Sequence, residues 1–231
     1  VLGGTAIFLT IYFKFINFRG FGIALRTARG KYTSPNAPGE ITHFQALSAA
    51  LSATVGLGNI GGVAVAIGLG GPGATFWMIV LGLCGMTTKF AECTLGVKYR
   101  RIGSDGKVRG GAMYYLRDGF KEIGMGPFGA VLAVFFAIFV LGGAFGAGNM
   151  YQSNQAFSQF SATFLDPSIA SSSGAKLGFG IVLAVVVGLV IIGGIVRIAQ
   201  VTAFLVPFMC GVYVLTALVI ILTNLGDVVP A

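Results

Sequence analysis

The feature of this sequence most relevant to chemistry is a glycine-containing break inside a long apolar segment. Residues 45–68 carry no charged side chain, and residues 54–59 within them read Thr-Val-Gly-Leu-Gly-Asn. In a lipid bilayer, unpaired backbone N–H and C=O groups are costly, so a helix is interrupted only where protein, water or a ligand satisfies the freed groups. Interrupted helices form the binding sites of many membrane proteins. The sequence therefore predicts a binding site at this break.

The two half-helices are expected to present opposite ends of their dipoles at the break. The half-helix after the break, the outer half, offers the N–H groups of its amino end to an anion. The half-helix before the break, the inner half, offers the C=O groups of its carboxyl end to a cation. A zwitterionic amino acid matches this pair of ends. Glycine permits the close backbone approach that such a ligand needs. The residues predicted to bind its carboxylate through the backbone are Gly56, Leu57 and Gly58.

The cation side of the break consists of neutral oxygen atoms. Hard cations prefer oxygen ligands, and sodium belongs to this class. We predict that the carbonyl oxygens of Ala53 and Thr54, together with the side chain of Asn59, bind sodium or the ammonium group of the ligand.

The composition and length of the apolar stretches indicate the class of protein. Hydrophobic residues make up 55% of the chain and charged residues 10%, more apolar than a soluble domain tolerates. A helix needs roughly 20 residues to cross a hydrocarbon core of ~30 Å. We predict an all-α integral membrane protein with one membrane domain over residues 1–231. Its six predicted spans are residues 1–18, 45–68, 74–97, 128–160, 177–196 and 201–223.

Basic residues are distributed unevenly among the connections between these spans. The chain has 15 Lys and Arg residues against 7 Asp and Glu. Thirteen of the basic residues lie around the first, third and fifth connections and Lys89 lies within the third span, whereas Lys176 is the single basic residue of the second and fourth connections. The positive-inside rule then places the basic loops in the cytoplasm and the amino end of the first span outside the cell membrane. We expect membrane lipid, and no nucleic acid, as the partner of these charges.

Other classes of membrane protein fit the sequence less well. No Asp or His lies inside a predicted span, which argues against an intramembrane enzyme, and we expect no cofactor. A channel would normally show a filter loop or a ring of like charges. A channel, a non-transporting membrane scaffold and a truncated gene product stay open as alternatives.

Polar residues also interrupt the fourth predicted span. Asn149, Gln152 and Ser153 follow a run of small residues at 142–148 and share a face at helical spacing. Such a face either holds helices together or lines a site.

The sequence of the broken segment closely resembles a known family. Residues 44–64 read FQALSAALSATVGLGNIGGVA, which is similar to the signature helix of the alanine or glycine:cation symporters, the sodium:alanine symporters of the amino acid-polyamine-cation superfamily. The resemblance covers nearly the whole chain from Phe44 onward. Two residues depart from the family pattern. Ala112 stands where a proline is expected, and Leu57 stands where the family often has threonine. Leu57 would alter how a pocket accommodates the side chain of a ligand. Further matching segments are residues 70–78, 85–92, 99–100, 110–115, 193–199 and 206–209.

This resemblance implies a leucine-transporter-like fold. In that fold two five-helix repeats of inverted topology hold an amino acid and sodium at mid-membrane. Residues 1–18 would be an accessory span and residues 45–223 the first repeat. We expect the natural chain to continue past Ala231 into the second repeat, which would complete the site and which these 231 residues do not contain.

The resemblance also implies a function and further site residues. The implied function is sodium-coupled symport of alanine or glycine into the cell by alternating access. The carbonyl oxygens of Ser52 and Val55 would supply half of a second sodium site. Gln152 would face the break and donate an amide hydrogen bond to the substrate carboxylate. The preferred amino acid and the choice between sodium and proton coupling stay open.

Overall fold

A computed structural model describes residues 1–32, 41–104 and 106–228 of the chain. Ala231, where the predicted continuation would begin, lies outside the described residues. The described elements are helices and one two-stranded hairpin. In chain order they are α1 (Leu2–Tyr12), α2 (Ile16–Arg19), α3 (Phe21–Ala28), α4 (His43–Thr54), α5 (Leu57–Gly70), α6 (Gly73–Lys98), β1 (Arg101–Ile102), β2 (Val108–Arg109), α7 (Ala112–Glu122), α8 (Gly126–Gly143), the π-helical segment Ala144–Met150, α9 (Tyr151–Phe164), α10 (Pro167–Ala170), α11 (Ser173–Ile191), α12 (Gly194–Thr223) and α13 (Leu225–Val228).

Five helical stretches are long and apolar enough to cross a membrane within the part of the chain that the structure describes. Each coincides with one of the predicted spans after the first. The prediction of an all-α membrane protein is confirmed in its helical content and in these five apolar helices. The five are His43–Gly70, Gly73–Lys98, Gly126–Phe164, Ser173–Ile191 and Gly194–Thr223.

The predicted span over residues 1–18 is not one continuous helix. Helix α1 contains only 11 residues and ends at Tyr12, which is shorter than the roughly 20 residues a span needs. Lys14 and Phe15 follow with φ angles of 51° and 55°. Residues in this left-handed conformation, which is unfavourable for residues with a side chain, cannot continue a right-handed helix. The first helix therefore ends before them, and α2 starts anew at Ile16.

The boundary between the last two predicted spans also differs from the expectation. Residues 177–196 were expected to form one helix, but α11 ends at Ile191 and α12 starts at Gly194. Gly194 has a φ angle of 68°, which only glycine adopts without strain. The chain therefore turns at Gly194, and Arg197 lies in the first turn of α12 rather than in a connection.

The described residues divide into two compact units, one within residues 1–90 together with 194–228 and the other within residues 91–193. In the first unit, α12 packs against α4, and their buried residues are Ser48, Ala199 and Val206. Ser48 and Ala199 are small residues, which let membrane helices approach closely. The packing on α12 supports the helix that ends at the break.

The first unit also contains a polar contact between α1 and α6. Thr10 is 4% exposed and Thr87 fully buried, and their hydroxyl oxygens are 3.3 Å apart. The Thr10 hydroxyl also lies 2.7 Å from the carbonyl oxygen of Ala6. Phe13 and Phe90 pack edge to face next to this contact, with 5.7 Å between ring centroids. Hydrogen bonding thus satisfies the buried hydroxyl groups, as a low-dielectric interior requires.

In the second unit, α9 and α11 pack through aromatic rings. Phe179 of α11 lies 5.4 Å from Phe157 and 5.4 Å from Phe160 of α9. Ser172 caps α11 by accepting a hydrogen bond from the Ala175 amide at 3.2 Å. The connection between these two predicted spans therefore contains the cap of α11, and the aromatic cluster joins the helices on either side of it.

Candidate binding site at the helix break

The structure breaks the second apolar segment where the sequence predicts it. Helix α4 ends at Thr54 and α5 begins at Leu57. Val55 (φ −91°, ψ 98°) and Gly56 (φ −153°, ψ −166°) connect them in an extended conformation. Two extended residues separate the carboxyl end of one half-helix from the amino end of the next.

Three carbonyl groups end α4 without the usual helical partners. In a continuous helix the carbonyl oxygens of Ser52, Ala53 and Thr54 would accept the amides of residues 56–58. Among the described residues no backbone bond joins these groups, and the last helical bond of α4 is the one that the Val55 amide donates to the Leu51 carbonyl at 2.7 Å. The carboxyl end of α4 therefore carries three polarised oxygens that a cation can bind.

The hydroxyl groups of this last turn are oriented by their own helix. Ser52 donates its hydroxyl hydrogen to the carbonyl oxygen of Ala49 at 2.7 Å. Thr54 donates in the same way to Ala50 at 2.8 Å. A hydroxyl that has donated its single hydrogen offers only lone pairs to its surroundings. Both oxygens are therefore suited to a cation rather than to an acceptor.

The amino end of α5 complements these oxygens. No side chain of a described residue caps it, and its first turn is closed by the Asn59 amide, which donates to the Gly56 carbonyl at 3.0 Å. The amides of Leu57 and Gly58 lie in the uncapped turn, where the positive end of the helix dipole favours an anion.

The side chains around the break are accessible in this structure. Ser52, Ala53, Thr54, Gly58 and Asn59 are exposed, whereas residues 55–57 are half-buried. A Cβ atom built on Gly58 would meet no described atom within 4 Å. A ligand can therefore approach the backbone at Gly58 closely from this side.

Local sequence signals hold α4 in position at its other end. The Thr42 hydroxyl accepts a hydrogen bond from the Gln45 amide at 3.2 Å. The Gln45 side chain accepts one from the Thr42 amide at 2.9 Å. This reciprocal pair is a capping box, a motif that starts a helix at a defined residue. The Thr-x-x-Gln spacing was a signal for it that our sequence interpretation did not use.

Gln152, the remaining predicted binding residue, belongs to the second unit. It is exposed and lies in the first turn of α9, directly after the π-helical segment Ala144–Met150. Its approach to the break stays a prediction. The π-helical segment was not predicted from the sequence. Such segments occur frequently at functional sites because they displace side chains from regular helical spacing.

A second group of interacting residues, in the connection after α6, was also missed. The Arg101 guanidinium binds both carboxylate oxygens of Asp118, at 2.7 and 2.9 Å. Glu122 accepts hydrogen bonds from Tyr99 at 2.6 Å and from Lys98 at 3.2 Å. These partners lie 17 or more residues apart, so only the folded chain shows that they meet.

Comparison with known proteins identifies relatives of the whole chain. The family described as the sodium:alanine symporter family matches residues 1–231. The sodium/alanine symporter AgcS of Methanococcus maripaludis is 44% identical over 100% of this chain and 49% of its own length. The amino-acid carrier protein AlsT of Bacillus subtilis is 36% identical over 97% of this chain and 44% of its own length.

The chain spans about half the length of these curated relatives. The predicted family resemblance is confirmed, and with it the class of transporter rather than enzyme at the level of the family. The five apolar helices agree with a multi-pass membrane protein. This chain therefore belongs to the sodium:alanine symporter family.

Proposed function

We propose that the full-length protein is a sodium-coupled symporter that carries a small neutral amino acid, alanine or glycine, into the cell by alternating access. The observation that carries this proposal is the break between α4 and α5, where carbonyl groups and amides face a gap of two extended residues. Opposite partial charges at adjacent helix ends match a zwitterion accompanied by a cation. The name of the relative AgcS as a sodium/alanine symporter supports this choice.

In this proposal the substrate carboxylate binds the amino end of α5. The backbone of Gly56, Leu57 and Gly58 approaches the carboxylate, and Gln152 donates an amide hydrogen bond to it. Thr54 and Asn59 complete the substrate site near the ammonium group. Leu57, which replaces the frequent threonine of the family, lies next to the substrate side chain and contributes to its selection.

Sodium binds the oxygens at the carboxyl end of α4 in this proposal. Ala53 and Thr54 contribute carbonyl oxygens and Asn59 its side-chain oxygen, while Ser52 and Val55 contribute to a second sodium site. All of these ligands are neutral oxygens, which hard cations accept. The carbonyl oxygens of Ser52, Ala53 and Thr54, which accept no backbone bond from the described residues, support this assignment.

The proposal includes the leucine-transporter-like architecture. Residues 45–223 would form the first five-helix repeat and an inverted second repeat would supply the remaining ligands. The connections rich in Lys and Arg would face the cytoplasm, by the positive-inside rule. Alternating access would then follow from movement of one group of helices against another around the bound ligands.

A matched pair of glycine variants tests the substrate site. A Cβ atom at Gly58 or at Gly62, one turn later in α5, meets no described atom within 4 Å. If the carboxylate approaches the Gly58 backbone, Gly58→Ala should lower uptake of subsaturating alanine by full-length protein in proteoliposomes roughly tenfold or more, because a charge-assisted hydrogen bond is worth ~1.5–3 kcal/mol. Gly62→Ala should transport like the wild type. Equal uptake by the two variants would place the carboxylate elsewhere.

Ion and competitor experiments test the two charges separately. Uptake should require an inward sodium gradient, and Asn59→Ala should weaken its dependence on sodium concentration. Ethylamine, which lacks the carboxylate, should compete poorly with alanine, because a buried donor left unpaired costs ~1–3 kcal/mol. Uptake that continues when potassium replaces sodium and follows only a pH gradient would refute sodium coupling. Wild-type affinity in Gln152→Ala would remove that residue from the site.

A further inference from the structure

Helices α7 and α8 form a hairpin with a groove between them. Helix α7 ends in a Schellman motif: the Met125 amide donates to the Phe120 carbonyl at 2.8 Å, and Gly124 has a φ angle of 80°. The chain then reverses into α8, and Phe120 packs edge to face on Phe128 at 5.4 Å. Two cavities of about 470 and 480 Å³ lie along this hairpin and share Arg117 and Ala130 as lining residues. We call the two together the α7–α8 groove.

One end of the groove is basic. Arg101, Arg117 and Lys121 line it with a single acidic residue, Asp118. Asp118 is already neutralised, because Arg101 binds it with two nitrogens and Arg117 with its Nε at 3.2 Å. The side chains of Arg101 and Arg117 nevertheless stay 55% and 50% exposed. The groove therefore presents an excess of positive charge, and planar guanidinium groups suit the oxygens of a phosphate.

The other end of the groove is apolar and follows one face of α8. Ala130, Ala133, Ala137 and Leu141 lie at the spacing of successive turns and line it together with Met113 of α7. The distance from residue 130 to residue 141 along a helix is ~16 Å. This is about half of the ~30 Å thickness of a bilayer core, the depth that an acyl chain of one leaflet occupies.

We propose that the α7–α8 groove is a specific binding site for an anionic phospholipid. Its phosphate binds among Arg101, Arg117 and Lys121, and one acyl chain lies along α8 from Ala130 toward Leu141. A free phosphate would use only the basic end, whereas an uncharged lipid would use only the apolar end. A basic pocket between helices that is continuous with an apolar groove fits a ligand with both parts.

Native mass spectrometry of the full-length protein, stripped of lipid in a neutral detergent, tests this site. Phosphatidylglycerol and phosphatidylcholine with identical acyl chains are the probes, with inorganic phosphate as a third. We expect phosphatidylglycerol to bind as a discrete adduct, tighter than phosphatidylcholine. The double variant Arg117→Gln/Lys121→Gln should bind phosphatidylglycerol roughly 30-fold more weakly, since each basic residue near a lipid surface contributes about fivefold. Lys176→Gln, an exposed basic residue of α11, is the matched control and should bind like the wild type.

A second pair of variants tests the apolar end. Ala137→Phe fills the groove and should weaken phosphatidylglycerol binding several-fold, whereas Val131→Phe adds bulk to an exposed position of α8 that does not line the groove. Gel filtration of each variant, compared with the wild type, identifies a variant that fails to fold, and the exposed charge variants then decide the question.

Three results would overturn the proposal. One is equal binding of the two phospholipids, and another is unchanged phosphatidylglycerol binding in the charge variants. The third is displacement of phosphatidylglycerol by equimolar inorganic phosphate, which would mean that the basic end binds a free anion. None of these measurements depends on transport, so they stand apart from the test of the proposed symport.

Discussion

Replacement of Gly129 by alanine should separate α7 from α8. A Cβ atom at Gly129 would lie 2.5 Å from the Leu116 carbonyl oxygen and 2.5 Å from the Phe120 Cβ atom. The helices would have to move apart by about 0.9 Å to restore a contact of 3.4 Å. Overpacking of this kind costs roughly 1–3 kcal/mol, against a gain of about 0.8–1.0 kcal/mol from the better helix propensity of alanine. Gly129→Ala should therefore be neutral to destabilising by up to about 2 kcal/mol.

Gly142 in the same helix provides the matched control. A Cβ atom there meets no described atom within 4 Å, so Gly142→Ala should keep the propensity gain alone and stabilise by up to about 1 kcal/mol. The difference between the two variants isolates the packing cost, at roughly 1–3 kcal/mol. The measurement is unfolding of the full-length protein by sodium dodecyl sulfate, followed by circular dichroism, with amide exchange of α7 as the local readout. Equal stability of both variants, with unchanged exchange in α7, would refute the packing argument.

The connection after α6 should be stable to mild acid. Burial acts to raise the pKa of Asp118, but hydrogen bonds and charges from Arg101 and Arg117 outweigh this effect and lower that pKa. Hydrogen bonds from Tyr99 and Lys98 lower the pKa of Glu122. Carboxyl groups with lowered pKa stabilise the folded state above their ordinary pKa and lose this effect as the pH falls through the lowered value. Hydrogen exchange of the α7 amides, corrected for intrinsic rates, should therefore rise only in strong acid. A rise in exchange near neutral pH would contradict this prediction. Single cysteines at Lys107 and Lys176, in a cysteine-free background, should react with an impermeant thiol reagent from opposite sides of the membrane, and labelling from one side would refute the predicted orientation. Thr42→Ala should destabilise the amino end of α4 by ~0.5–2 kcal/mol through loss of the capping box, which faster exchange of the first amides of α4 would report and unchanged exchange would contradict.

The positions of the apolar helices could be predicted largely from sequence because the bilayer imposes a local rule. Each span must satisfy its own backbone groups over ~30 Å, and this leaves a long apolar run in the sequence. The break at residues 54–59 could be found for the same reason, since Gly56 and Gly58 interrupt such a run. The end of α1 could not, because the left-handed Lys14 and Phe15 leave no compositional signal.

Contacts between distant residues required the folded chain. The pairing of Arg101 with Asp118 joins residues 17 positions apart, and the fit of Gly129 against α7 depends on how the chain reverses at Gly124. Neither contact produces a periodic pattern, because each depends on which surfaces of two elements meet.

The sequence by itself therefore determined the family, the membrane class and the location of the broken helix, because these depend on local composition and on a recognisable motif. The tertiary structure decided which carbonyl oxygens at the break accept no backbone bond from the described residues, such as those of Ser52 and Thr54, and how the hydroxyl groups of these residues are oriented. It also decided that α7 folds back on α8 to form a groove with one basic and one apolar end. The physical reason is that hydrogen bonds and packing depend on distances of a few ångströms, which only the folded backbone sets.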